Sequence, residues 1–333
     1  MGNSSTKIAP DQSMKCFTTS RGINLAIKSI EPCVTNPTPS DPASQAVEAN
    51  SEKSKAIFFI HGVAGSSHVW ESQLNYFTAQ GYYAIALDLL GHGKSETPDK
   101  QSLYKFMHMS TDCVDVFDNY CKDFNTVVAH SYGTSLATFL ARQRPSKIQK
   151  LVLMSGGAPV PLAPQTSVLS LPTPCLTLLK PVLTRFFQRS AFHKKNRNLP
   201  NKDVAFNVPV HVLRHTMKGQ VWEEGDENFH RWLAQPTLLL HGEDDRLEPF
   251  AGTMEMHHIL QKSEIYCIPH AGHMIMMEHP SMVNVLIEKF LNSDHVTSNQ
   301  NISTDDTVTQ KVSSSHTHVT KSQPNLRRNT IST

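Results

Sequence analysis

An open, doubly wound, mostly parallel α/β sheet interrupted by a helical insertion is the fold class predicted by this 333-residue sequence. Short runs of apolar and β-branched residues recur at 56–60, 82–87, 126–128, 151–154 and 237–240, as expected of strands buried on both faces of a parallel sheet. Helical patterns alternate with these runs, which is the mark of crossover connections. From about 159 to 235 the alternation stops, and Pro172, Pro174, Pro181 and Pro200 break that segment into short helical stretches. The strand at 237–240 then resumes the sheet, so the intervening segment is an insertion, most simply a helical lid.

Taken in order, 15–19 and 23–30 read as two short strands joined by the turn Ser20-Arg21-Gly22. The stretch 32–53, with Pro37, Pro39 and Pro42, reads as an irregular linker. A strand at 56–60, a helix at 70–79, a strand at 82–87 and a helix at about 110–121 follow. After the strand–helix unit around Ser131 come a strand at 150–154, the insertion, the strand at 237–240, a last strand at 264–268 and an amphipathic helix at 281–291. Residues 293–333 contain no Phe, Trp or Tyr and are dominated by Ser, Thr, Asn and Gln. Such a tail buries too little apolar surface to offset the entropy of ordering and is expected to be disordered. The folded domain is therefore placed at 15–292, after a flexible start at 1–14.

A formal net charge of +2, with 18% charged residues, gives no global argument for a nucleic-acid partner. Six cysteines (Cys16, Cys33, Cys113, Cys121, Cys175 and Cys267) lie far apart without zinc spacing. They read as reduced, mostly buried thiols in a cytoplasmic protein. No apolar run follows Met1 as in a secretory signal, and none approaches a membrane span. Met1-Gly2-Asn3-Ser4-Ser5-Thr6 does match the myristoylation pattern, with Gly2 as acceptor. One such chain gives only marginal membrane affinity, so peripheral attachment needs a second contact, for which Lys7, Lys15 and Cys16 are candidates.

Ala129-His130-Ser131-Tyr132-Gly133 lies between a β-branched run and a helix-forming run. This is the small-x-Ser-x-small pattern of a nucleophile elbow, a strand-to-helix turn so sharp that the serine projects from it. A serine hydroxyl attacks only when a base takes its proton and a third group orients that base. Downstream, His241-Gly242-Glu243-Asp244-Asp245-Arg246-Leu247-Glu248-Pro249 follows one strand, and Pro269-His270-Ala271-Gly272-His273 follows the last. Among Glu243, Asp244, Asp245 and Glu248, the spacing from Gly242 and to Pro249 selects Asp245 as the orienting acid. His273, which follows a glycine, is selected over His270 as the base. Backbone N–H groups of Val63, in His61-Gly62-Val63, and of Tyr132 are assigned as oxyanion donors. The loop 88–95 reads as structural, and the motifs call for neither metal nor cofactor.

Together these residues resemble the α/β-hydrolase superfamily over roughly 15–292. Segments at 59–63, 205–208, 219–227 and 273–278 narrow the resemblance to one branch of it. The resemblance implies a Ser-Asp-His hydrolase with a helical lid. Ala129 stands where the elbow commonly has glycine, Thr134 where a smaller residue is commoner, and Glu278 where lipid acyltransferase relatives have aspartate. A serine at 131 points to esters, thioesters or amides. The insertion combines apolar stretches with Lys180, Arg185, Arg189, Lys194, Lys195 and Arg197. It either rests on anionic lipid and admits an acyl chain, or covers the sheet with its cations simply solvated. The expected reaction is hydrolysis of a carboxylic ester, a lipid ester above others. A non-catalytic scaffold retaining the fold and a lipid acyltransferase are the alternatives.

Overall fold

Alternate residues of β3 (Lys55–Ile60) belong to two separate cores, Ala56, Phe58 and Ile60 to one and Ile57 and Phe59 to the other. A strand whose side chains alternate in direction can do this only if both faces of its sheet are covered. The computed structural model, which describes residues 14–32, 54–164 and 168–293, has that arrangement. Gly2, Cys33, most of the 32–53 linker and the tail beyond 293 lie outside the described residues.

Among the described residues one sheet contains β1 (Met14–Thr18), β2 (Asn24–Ile30), β3, β4 (Tyr83–Leu87), β5 (Phe124–His130), β6 (Ile148–Met154), β7 (Thr237–Gly242) and β8 (Ser263–Ile268). Their order is β1-β2-β4-β3-β5-β6-β7-β8. β1–β2 and β2–β4 pair antiparallel, and the remaining neighbours pair parallel. The chain leaves β3 for β4 on one side and returns to β5 on the other. That reversal opens a crevice at the carboxyl ends of the central strands, where open α/β sheets place their sites.

One face is covered by α2 (Phe106–Tyr120) and α3 (Tyr132–Gln143), through residues such as Phe106, Val116, Phe117, Leu136 and Leu140. The other is covered by α1 (Glu71–Ala79) and α9 (Pro280–Asn292), through Leu74, Phe77, Val283, Ile287 and Phe290. Each such fully buried side chain contributes about 1.5–3 kcal/mol of transfer free energy.

Between β6 and β7 the described residues form α4 (Thr173–Ala191), α5 (Val210–Gly219), α6 (Glu227–Arg231) and short 3-10 turns. α4 differs from the sequence expectation, because it runs unbroken through Pro181. Pro181 is exposed, so water can serve the carbonyl that loses its helical partner, while Leu176 holds the helix inward. Two further differences concern helices. α2 starts at Phe106, and α7 (Phe250–Ile259) joins β7 to β8 where the sequence, lacking a clear apolar period, predicted none. A four-residue α8 (Ile275–Glu278) precedes α9. The five described cysteines are free, but Cys16, Cys175 and Cys267 are exposed rather than buried. They lie on the edge strands β1 and β8 and in the first turn of α4.

Candidate active site

Ser131 sits between the last residue of β5 and the first of α3 with φ 52° and ψ −128°, a conformation that costs a non-glycine residue about 1–3 kcal/mol. It is held there on both sides. Its N–H donates to the Met154 carbonyl at 2.9 Å, and its carbonyl accepts from the Thr134 N–H at 2.9 Å and the Thr134 hydroxyl at 2.7 Å. A Cβ at Gly133 would lie 2.7 Å from the carbonyl oxygens of Ile60 and His61, so only glycine lets α3 start this close to β3. Thr134 has a counterpart as well, since a Cβ at Gly156 would lie 2.7 Å from its hydroxyl.

Asp245, on the loop after β7, and His273, on the loop after β8, meet with His273 Nδ1 donating to Asp245 Oδ2 at 2.8 Å. The other carboxylate oxygen accepts from the N–H groups of Leu247 and Glu248 at 2.9 and 3.0 Å. Burial pushes the Asp245 carboxyl up, but the His273 hydrogen bond and charge, with those two N–H groups, outweigh it and hold it at about 2. With its proton directed at Asp245, His273 presents Nε2 as an acceptor. Its carbonyl accepts from His130 Nε2 at 2.9 Å, and its N–H donates to the Ala191 carbonyl at 2.7 Å. Burial holds His130 well below its ordinary range, so it serves as a neutral donor.

The other carboxylates are engaged elsewhere. Asp244 faces His193 at 3.5 Å, and Glu243 accepts from the His270 N–H at 3.2 Å. Glu248 lines the cavity described below, and burial raises its carboxyl. His270 is exposed and is not among the residues lining that cavity.

Val63 lies on the loop after β3 and Tyr132 at the first position of α3. Neither backbone N–H donates to another group among the described residues. The Tyr132 N–H is one of the donors that any helix start leaves unpaired. His61 fixes this loop. The Leu89 N–H donates to His61 Nε2 at 3.0 Å, which leaves the ring proton on Nδ1 to reach the Gly62 carbonyl at 2.7 Å. Burial lowers His61 to about 4, against the raising effect of the Gly62 contact, and it is therefore neutral at pH 7. In the adjacent loop the Asp88 carboxylate accepts from the Ser67 and Lys94 N–H groups at 2.6 and 2.8 Å, a structural role.

Ser131, His273, Val63 and Tyr132 all line one cavity of about 790 Å³. The insertion supplies much of its apolar wall, including Leu183, Phe187, Leu213, Met217 and Trp222. The end of α4 is tied to the histidine loop by more than the Ala191 carbonyl. The buried Glu278 carboxylate accepts from the N–H groups of Gly272 and His193, both at 2.8 Å, and from Asn196 Nδ2 at 2.9 Å. The roles of His61, His130 and Glu278 were not read from the sequence. For Glu278 a signal existed in its fixed distance from His273, whereas 18 histidines in one chain hide the other two.

The chain belongs to the α/β-hydrolase fold family, whose model matches residues 55–280. It is similar to Protein ABHD8 of Bos taurus, 40% identical over 239 residues, covering 71% of this chain and 55% of that one. ABHD8 of Homo sapiens is 39% identical over 239 residues, covering 71% and 54%. The chain thus spans about half the length of the curated relatives it matches. Among solved structures, an esterase from Exiguobacterium antarcticum has the same fold, with a TM-score of 0.68 and 18% identity over 84% of this chain and 99% of that one.

Proposed function

We propose that this chain is a serine hydrolase that cleaves a carboxylic ester through an acyl-enzyme on Ser131. The observation carrying this reading is the Asp245–His273 hydrogen bond in a cavity shared with a strained, elbow-borne Ser131. In the first step Ser131 Oγ attacks the ester carbonyl carbon while His273 Nε2 takes the hydroxyl proton. The carbonyl oxygen becomes an oxyanion within reach of the Val63 and Tyr132 N–H groups. As the tetrahedral intermediate collapses, the C–O bond to the alcohol breaks and His273 returns the proton to the departing oxygen. Water, deprotonated by His273, then attacks the acyl-enzyme, releases the acid and restores Ser131. Asp245 keeps the imidazole in the required tautomer and offsets its transient positive charge.

A lipid ester is the favoured substrate class, since the cavity wall supplied by the insertion is apolar and large enough for an acyl chain. A fluorophosphonate probe tests the enzyme reading. Wild type is expected to be labelled and Ser131→Ala, equally folded by circular dichroism, to be blank. A folded wild type that takes no label would overturn the hydrolase and favour a binding protein that retains the fold.

A further inference from the structure

α4 has two apolar faces, and the described residues cover only one. Leu176, Leu183 and Phe187 point inward, Leu176 fully buried, Leu183 onto the cavity and Phe187 stacked on Phe206 with ring centroids 4.7 Å apart. On the opposite side Leu178, Val182 and Phe186 are 83%, 63% and 67% exposed. With Arg185 and Arg189, also exposed, they occupy an arc of about 100° at 3.6 residues per turn. An apolar stripe of this kind on the surface marks a contact site. Phe186 and the exposed Val160 also line the cavity, so the cavity opens through this same apolar surface.

The charge of the segment that carries the stripe is one-sided. Between Asp123 and Asp203 the sequence contains no acidic residue. Within 171–202 it has seven cations, Lys180, Arg185, Arg189, Lys194, Lys195, Arg197 and Lys202. The whole chain carries +2, so everything outside that segment sums to −5. None of the seven forms an ion pair with a carboxylate among the described residues. No helix among the described residues is long and apolar enough to cross a membrane.

We infer that the outward face of α4 docks on a bilayer bearing anionic phospholipid. Leu178, Val182 and Phe186 enter the boundary between headgroups and acyl chains, while Arg185 and Arg189 on the same arc pair with phosphate and carboxylate headgroups. Both demands, apolar depth and negative charge without acidic competitors, are met by one such surface. Docking in this pose sets the cavity mouth against the membrane. The contact itself is independent of catalysis, so Ser131→Ala is expected to bind as wild type does, and failure of the hydrolase reading would leave it standing.

The test is co-sedimentation of the full chain with vesicles, using protein made in bacteria so that Gly2 carries no acyl group. Wild type is expected to pellet with phosphatidylcholine vesicles containing 30% phosphatidylserine at least tenfold more than with phosphatidylcholine alone, and to be released by 0.5 M NaCl. Leu178→Asp/Val182→Asp and Arg185→Glu/Arg189→Glu are each expected to lose at least tenfold in vesicle binding. Their thermal midpoints and Ser131 labelling in vesicle-free buffer are expected to match wild type. Wild type that stays in the supernatant, that binds neutral vesicles equally well, or that self-associates through this face in sedimentation velocity would overturn the inference. So would variants that fold and still bind the anionic vesicles as wild type does.

Discussion

At Ser131 the backbone is held in a conformation it would not adopt alone, and the Thr134 side chain is part of the clamp. Its hydroxyl bonds the Ser131 carbonyl on one side and fills the space beside Gly156 on the other. Thr134 and Gly156 therefore act as a matched pair, which explains how the elbow accommodates a residue larger than the usual one. Gly156→Ala is expected to destabilise the chain by about 1–3 kcal/mol, the range for overfilling a close-packed site. Adding Thr134→Ala is expected to recover part of that loss in a urea-denaturation double-mutant cycle. Strict additivity of the two changes would show that they do not share the space.

At the scale of elements, the end of α4 and the loop after β8 are one unit. Glu278 receives three donors drawn from both, and the Ala191 carbonyl receives the His273 N–H. Removing the carboxylate leaves buried N–H groups unpaired, at about 1–3 kcal/mol for each. Glu278→Ala is therefore expected to lower unfolding free energy by about 3 kcal/mol and to slow fluorophosphonate labelling of Ser131. Glu278→Gln, which keeps one carbonyl acceptor, is expected to retain more of both. Unchanged labelling in a destabilised Glu278→Ala would assign Glu278 to structure alone. The sequence made the strands legible because residues such as those of β3 and β4 are apolar without interruption. Ser131, Asp245 and His273 were legible because each follows a strand in chain order. What escaped was tertiary in origin. α7 has no apolar period to announce it, Pro181 is tolerated because it faces water, and the bonds of His61 to Leu89 and of His130 to His273 reach loops distant in sequence.

Across the whole molecule, acid sensitivity follows from groups that the fold keeps in one protonation state. Burial lowers His61 to about 4, and burial together with the neighbouring His61 lowers His92 to about 3, both from an ordinary value near 6.5. Between the folded and unfolded values the unfolded chain binds more protons, so stability falls as pH falls. Each histidine contributes a slope of up to about 1.4 kcal/mol per pH unit over that window. Asp245, held at about 2, adds a later loss as pH falls from about 4 toward 2. Urea midpoints are expected to decline from pH 7 through pH 5, and His92→Gln to flatten that decline. A midpoint constant between pH 7 and 5 would contradict this assignment.

The bonds joining Ala191, His193 and Asn196 to the histidine loop also limit how such a protein can be recombined. An insertion of this kind is commonly pictured as a cassette, exchangeable between scaffolds because both its ends enter from the sheet. Here its interior grips the segment bearing His273. A chimaera that imports a foreign insertion inherits a loop without its moorings unless it carries those three positions, or replaces Gly272 to Glu278 from the same donor. Divergence of specificity in this chain is therefore expected to proceed by exchanging wall residues within the insertion rather than by exchanging the insertion whole.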